Sequence, residues 1–212
     1  MPLQNRVDPS GKIFLSPARG TIMGNRGGAI HNDKRVIVRP FKSRRWITCL
    51  LEFKGRKRTV MTPGLYTELF FLDEAVAFSA GHRPCAECRR ERFTAFRNAF
   101  RNAWRLRDGT PGTPETPCRA DEIDHVLHSA RIGPHGVKVT YEAEMNSLPN
   151  GCFVRIDQSP YIVWDDALVL WTPEGYSGKH PRPKGVTATV LTPQPIVECF
   201  RYGYKPEVHS SL

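Results

Sequence analysis

A chain of 212 residues in which 40% are hydrophobic fits one large domain or two small ones and carries enough apolar content for a real core, which excludes a disordered segment. Its 18 prolines and 17 glycines exceed what an all-helical protein carries and favour short strands and turns with a few helices, an α+β fold. No apolar run approaches the roughly 18–20 residues that span a bilayer, and Met1-Pro2-Leu3-Gln4-Asn5-Arg6 is followed by Asp8 and Pro9 rather than by an export signal, so the expectation is a cytoplasmic protein with no membrane partner.

The net charge of +10 is unevenly placed. Residues 1–107 carry 22 Lys/Arg against 8 Asp/Glu, whereas residues 108–212 carry 9 against 13. Such asymmetry is the footprint of a surface that neutralises phosphates, or of a solvated basic face.

In chain order, the first sixty residues read as short strands joined by turns. Gly24-Asn25-Arg26-Gly27-Gly28 separates Thr21-Ile22-Met23 from Ala29-Ile30-His31, either as a loop whose N–H groups and Arg26 cradle a phosphate or as an ordinary turn. Trp46 to Phe53 reads as a strand that Lys54-Gly55 turns into Arg56-Lys57-Arg58-Thr59-Val60-Met61. This hairpin is basic at its base (Arg44, Arg45) and near its tip (Arg56, Lys57, Arg58), and a basic β-ribbon is one way to meet a nucleic acid. Tyr66 to Phe71 reads as a strand, and Asp73 caps a short helix that stops at Gly81.

Gly81-His82-Arg83-Pro84-Cys85-Ala86-Glu87-Cys88-Arg89-Arg90 follows. Two thiolates separated by two residues can turn around one tetrahedral cation where a bend leads into a helix, and Pro84 suits that bend. Arg83, Arg89, Arg90 and a helix N-terminus all favour thiolates. The pair reads as a structural zinc knuckle, with a redox pair or two unligated cysteines as the alternatives. Beyond it, Phe93, Phe96, Phe100, Ala103 and Trp104 recur at three and four residues in a long helix whose arginines, Arg97 among them, fill the remaining surface. Residues 108–118, rich in Gly and Pro, are the linker candidate. The expected organisation is therefore a basic region 1–107 with a short-stranded sheet, knuckle and helix, then an acidic region 119–212 with one helix over 120–131 and a strand-rich remainder. The two regions are separate or packed as one domain.

Residues Leu69 to Arg89, LFFLDEAVAFSAGHRPCAECR, resemble the second half of the zinc-binding domain of Ada-type DNA-repair proteins, where an apolar strand, a short Glu-Ala helix and a glycine precede RPCxxC. The resemblance covers about a tenth of the chain. It implies zinc, held in that family by four cysteines of which one accepts a methyl group from a DNA phosphotriester, and it carries over Cys85 and Cys88 alone. The upstream closely spaced cysteine pair of that family is missing here. Cys49 and His31 are the replacements within the basic half, Cys49 being otherwise a core thiol and His31 a turn residue. The whole chain also resembles a group of bacterial proteins that share the MGNRG loop, the YTELFFLDEA segment and GHRPCxxCRR, which supplies no activity.

Asp124, His125 and His128 stand on the helix over 120–131, with Asp124 and His128 four apart on one face. A carboxylate there can orient an imidazole as general base or metal ligand, or the group is an ordinary polar helix face. Ile123-Asp124-His125-Val126 resembles the Asp-His-Val core of HNH nucleases, although the later metal histidine of that family is missing at the usual distance. A further possibility is Pro2, which as an N-terminal secondary amine is the nucleophile type of some DNA glycosylases. The leading expectation is a zinc-stabilised protein that binds nucleic acid, DNA in preference to RNA, in repair or processing. Its contacts would be Arg26, Arg44, Arg45, Arg56, Lys57, Arg58, Arg83, Arg89, Arg90 and Arg97. The alternatives are a hydrolase using Asp124, His125 and His128, and a partner-binding module without chemistry.

Overall fold

Alternation of buried and half-buried residues along Ile22–Arg26 gives that strand one face in the core and one turned outward, and the same alternation governs its neighbours. A computed structural model describes residues 2–56, 59–107 and 118–212. The first sheet takes β1 (Gln4–Val7), β2 (Ile13–Leu15), β3 (Ile22–Arg26), β4 (Trp46–Cys49), β5 (Leu69–Phe71) and the two-residue β6 (Arg83–Pro84), in the order β2-β1-β5-β3-β4-β6. Between β5 and β6 lies α1 (Glu74–Ser79), and α2 (Arg90–Arg107) and α3 (Ala120–Arg131) follow. The second sheet takes β7 (Tyr141–Glu144), β8 (Phe153–Ile156), β9 (Ser159–Trp164), β10 (Ala167–Thr172), β11 (Gly175–Pro181) and β12 (Thr187–Val190), in the order β11-β10-β9-β8-β12-β7, and α4 (Gln194–Arg201) follows it. Two six-stranded sheets and four helices among the described residues make the chain α+β, as composition implied. No helix among the described residues is long and apolar enough to cross a membrane.

The second sheet is apolar on both faces. Val154, Val163 and Leu168 point into a core shared with α2, α3 and α4, while Phe153, Ile162 and Val169 point into a core shared with α1 and the first sheet. Both cores draw on residues from before position 108 and after position 118. The chain end is tied back as well: the His209 N–H and the Tyr176 hydroxyl both donate to Asp73 Oδ2, at 2.9 and 2.7 Å.

Local chemistry explains the helices. Asp73 caps α1, its Oδ1 accepting the Val76 N–H at 2.9 Å, as expected. Phe93, Phe96, Ala99, Phe100 and Ala103 form the buried stripe of α2. The helix expected over 120–131 is α3. The α4 segment was not expected: its eight residues are two-sided, with Ile196, Val197, Cys199 and Phe200 buried, but two turns are too short a run for the period to stand out in the sequence.

Two expectations in the N-terminal half are corrected. Trp46 to Met61 is no hairpin: β4 ends at Cys49 and has both edges occupied, pairing with β3 on one side and β6 on the other, so no edge is left for a returning strand. Residues 50–56 and 59–68 instead run across the outer face of the sheet as loop. The glycine segment is no phosphate cradle either, since β3 continues through Gly24, Asn25 and Arg26. Gly24 is required by close strand packing, because a Cβ there would meet the Ile47 carbonyl oxygen at 2.3 Å. The linker expected over 108–118 lies outside the described residues except for Cys118.

Candidate metal centre

Parallel pairing of β4 with β6 sets Thr48 beside Pro84, and the Cys85 N–H donates to the Thr48 carbonyl at 2.9 Å. Cys49 and Cys85 thereby leave adjacent strands side by side, and the bend into α2 returns Cys88 to them. The three sulfurs lie within 4.8 Å of one another, and no fourth His, Cys, Asp or Glu among the described residues joins them. Thiolates at about 2.3 Å from one tetrahedral ion stand about 3.8 Å apart, so the three sites fit a single soft cation with one position remaining.

The surrounding backbone is arranged for charged sulfur. The Glu87 N–H donates to Cys85 Sγ at 3.4 Å, the Cys88 N–H also points to Cys85, and the Leu50 N–H points to Cys88. Such bonds favour thiolates and fix their direction. Three thiols in contact do not ionise together without a cation. Contact with Cys85, then with Cys88, pushes Cys49 far above the ordinary thiol range, while the Cys49 S–H is the largest influence holding Cys85 well below it. The other three cysteines are different. Burial is the main cause raising Cys118, Cys152 and Cys199, and Cys152 and Cys199 are core residues.

Behind the cluster, Arg89 anchors α2. Its side chain, 2% exposed, reaches Glu74 Oε1 at 2.8 Å, Glu207 Oε2 at 2.5 Å and Thr48 Oγ1 at 3.0 Å, and Arg92 joins it on Glu74. The knuckle is thus tied to β4, α1 and the C-terminal segment through one buried cation.

Three concavities meet at the cluster. A cavity of about 490 Å³ between the outer face of the first sheet and the loop is lined by all three cysteines. A wide groove of about 1380 Å³ on the other side of Ile47 and Cys85 is bordered by Lys42, Arg44, Arg45, His125 and His128 and by Glu87, Asp121 and Glu122. A shallow depression beside Cys88 carries Arg90. The exposed Arg56 closes the rim by pairing with Glu87 at 3.0 Å.

The structure sorts the remaining expected site residues. Arg44, Arg45, Arg56, Arg90 and Arg97 are exposed, and Lys57 and Arg58 lie outside the described residues. Arg26, Arg83 and Arg89 are 2–4% exposed and bonded within the chain, which corrects their reading as phosphate contacts. Arg26 stacks 4.2 Å from the Trp46 ring centroid and donates to the Gly11 carbonyl at 2.7 Å. Arg83 forms a two-pronged pair with Asp124, Nε to Oδ1 and Nη2 to Oδ2, both at 2.8 Å. That pair also removes Asp124 from the catalytic trio. Its carboxylate faces a guanidinium rather than His128, whose ring lies 5.1 Å from Phe41 and whose Nδ1 is 3.4 Å from Arg131. His128 is held below its ordinary pKa by burial first and then by Arg131 and Arg44. His125 Nδ1 meets Arg44 at 3.0 Å. His31 is apart from the cluster: Nδ1 pairs with Thr67 Oγ1 at 2.6 Å, Nε2 lies 3.3 Å from the Thr62 carbonyl, and the ring is 7% exposed. Pro2 is exposed at the start of the described chain.

No protein-family model matches the chain, and neither a curated protein nor a solved structure matches it.

Proposed function

We propose that this is a zinc-dependent nucleic-acid-binding protein acting on DNA, in which Cys49, Cys85 and Cys88 hold the metal and the exposed basic residues around them hold the phosphate backbone. The observation that carries the reading is the convergence of three sulfurs within 4.8 Å beside a wide groove lined by Lys42 and the exposed Arg44 and Arg45, together with Asp121 and Glu122. Zinc bound there supplies a rigid joint between β4 and the start of α2, so the knuckle sets the spacing of Arg44 and Arg45 on one side and Arg90 on the other. These arginines and Lys42 give position and affinity rather than sequence preference.

The test combines elemental analysis of freshly purified protein with titration of labelled single- and double-stranded DNA at several salt concentrations. One zinc per chain and a salt-dependent affinity are expected, with both lost in Cys85→Ser. A chain that holds no zinc when purified or reconstituted, and that binds neither DNA, sinks the proposal.

A further inference from the structure

The outer face of the first sheet is built in a way that a purely structural metal site does not require. Register places Met23 beside Cys49 on one side and Phe70 on the other, and the same alternation sets Ile47, Asn25 and Glu68 on that face. An outer face ordinarily carries solvated polar residues, yet here Met23, Ile47 and Phe70 are half-buried, roofed by a loop that contributes Phe53 and Tyr66. The partly open space beneath it, about 490 Å³, falls within the roughly 300–1,000 Å³ of small-molecule sites.

Glu68 is the telling residue. It is 2% exposed and lines the cavity; its Oε2 accepts the Met61 N–H at 2.7 Å, and its Oε1 has no hydrogen-bond partner among the described residues. Oε1 has almost no accessible surface as it stands, so a ligand N–H reaches it after a small turn of the side chain and then relieves the cost of a buried carboxylate oxygen without a donor. Asn25, the next cross-strand neighbour, uses its Oδ1 to accept the Gly27 N–H at 3.0 Å, which leaves its NH2 group as a donor. The cavity therefore offers an acceptor and a donor side by side, aromatic walls at Phe53 and Phe70, and three thiolates that leave one metal position.

We infer that this cavity is a nucleobase pocket, which takes a single unstacked base with an N–H directed to Glu68 Oε1, an adjacent acceptor directed to Asn25 and its π-face on Phe53 or Phe70. A planar heteroaromatic ring carrying a donor beside an acceptor is the edge that every nucleobase presents, and aromatic side chains supply its stacking surface. The inference rests on the nucleic-acid reading above: the cavity's own lining sets Glu52, Glu68 and Glu87 against Arg56, so the phosphates would be held by Lys42, Arg44 and Arg45 of the neighbouring groove.

Calorimetric titration of the zinc-loaded full chain with adenosine, guanosine, cytidine and thymidine tests it. At least one nucleoside is expected to bind, and Glu68→Gln is expected to weaken that one about tenfold or more. Gln keeps an oxygen for the Met61 N–H but turns an NH2 group toward the cavity, so the order of preference among the four should change, which a merely structural role would not produce. Phe53→Ala, in the roof rather than the sheet, supplies a second reading should Glu68→Gln fail to fold, and is also expected to weaken binding. A chain that holds zinc and binds DNA yet binds no nucleoside, or binds them equally in wild type and both variants, overturns the pocket and leaves the function above standing. Absence of both zinc and DNA binding removes the two together.

Discussion

The two faces of the first sheet hold similar polar chemistry under opposite conditions. On the inner face, Trp46 is stacked between the guanidinium groups of Arg26 and Arg131, at 4.2 and 4.1 Å from its ring centroid. Both arginines end on backbone carbonyls, Arg26 on Gly11 and Arg131 on Gly81 at 2.7 Å each. His82 packs against Trp46 and Phe71 at 5.1 and 4.7 Å, and burial, ahead of Arg26 and Arg131, drives its pKa well below the ordinary value, so it acts as a neutral ring. Even Gly81 belongs to this seam, because a Cβ there would stand 2.5 Å from Arg131 Cδ. The inner face leaves Arg26 Nε, Arg131 Nε and both His82 ring nitrogens without hydrogen-bond partners among the described residues, but none of these residues lines the three concavities, whereas on the outer face Glu68 Oε1 lacks a donor and three thiols converge beside a cavity. A polar atom left unpaired among packed rings is a cost of that packing, whereas one left unpaired in the lining of a cavity marks where something else can bind.

The largest expected effect separates the outer-face cysteines from a cysteine buried in the core beneath α2, α3 and α4. Cys49→Ser, Cys85→Ser or Cys88→Ser should each abolish stoichiometric zinc and lower stability by about 4–5 kcal/mol, less than the roughly 10–16 kcal/mol of zinc-finger peptides because this chain has cores of its own. Cys152→Ala, in the apolar core, should cost about 1–2 kcal/mol and leave zinc content unchanged. Elemental analysis with thermal melts in the presence and absence of chelator checks both, and equal effects at the two places would erase the distinction.

Part of this arrangement is legible in the sequence and part is not. Local signals were sufficient for the Asp73 cap, the stripe of α2, the span of α3 and the thiolate pair at Cys85 and Cys88, because each depends on residues at most a few positions apart. Cys49 was reachable as a nearby cysteine, but its place beside Cys85 depends on the β4–β6 register, which no local pattern encodes. The Arg83–Asp124 pair joins residues 41 apart, and nothing in either neighbourhood tells a buried arginine from a phosphate contact. The pocket escaped for a similar reason. Glu68 and Phe70 alternate with the buried Leu69 and Phe71, which reads as an ordinary outer face unless the roof formed by the following loop is known.

The buried ion pair gives the next test. Asp124→Asn should destabilise the protein by about 3 kcal/mol, since it leaves Arg83 buried without its counter-charge, while Arg83→Met with Asp124→Leu should restore much of the loss. Neither should change the salt dependence of DNA binding. A large change in that slope would return Arg83 to the interface and blur the division between the faces. On the exposed side the expectation reverses: Arg44→Ala with Arg45→Ala should leave the melting temperature nearly unchanged and reduce the salt slope by about 2, read from titrations across ionic strength.

The smallest effect lies at the end of the inner seam, where the half-buried Lys138 donates from its ammonium to the Ser79 carbonyl at 2.7 Å. Burial, then Arg26, lowers its pKa to about 7, with Asp8 opposing and Arg131 adding to the shift. The unfolded chain keeps this proton up to about pH 10 whereas the folded chain releases it near pH 7, so between those values the unfolded state binds more protons and stability rises with pH. Below pH 7 both states are protonated and the penalty is constant. Lys138→Met should therefore flatten the rise between pH 7 and 9.5, removing on the order of 1–2 kcal/mol of pH dependence in denaturant titrations compared with wild type. Identical slopes for the two proteins would mean that the ammonium is solvated and that the inner face is more open than its packing implies.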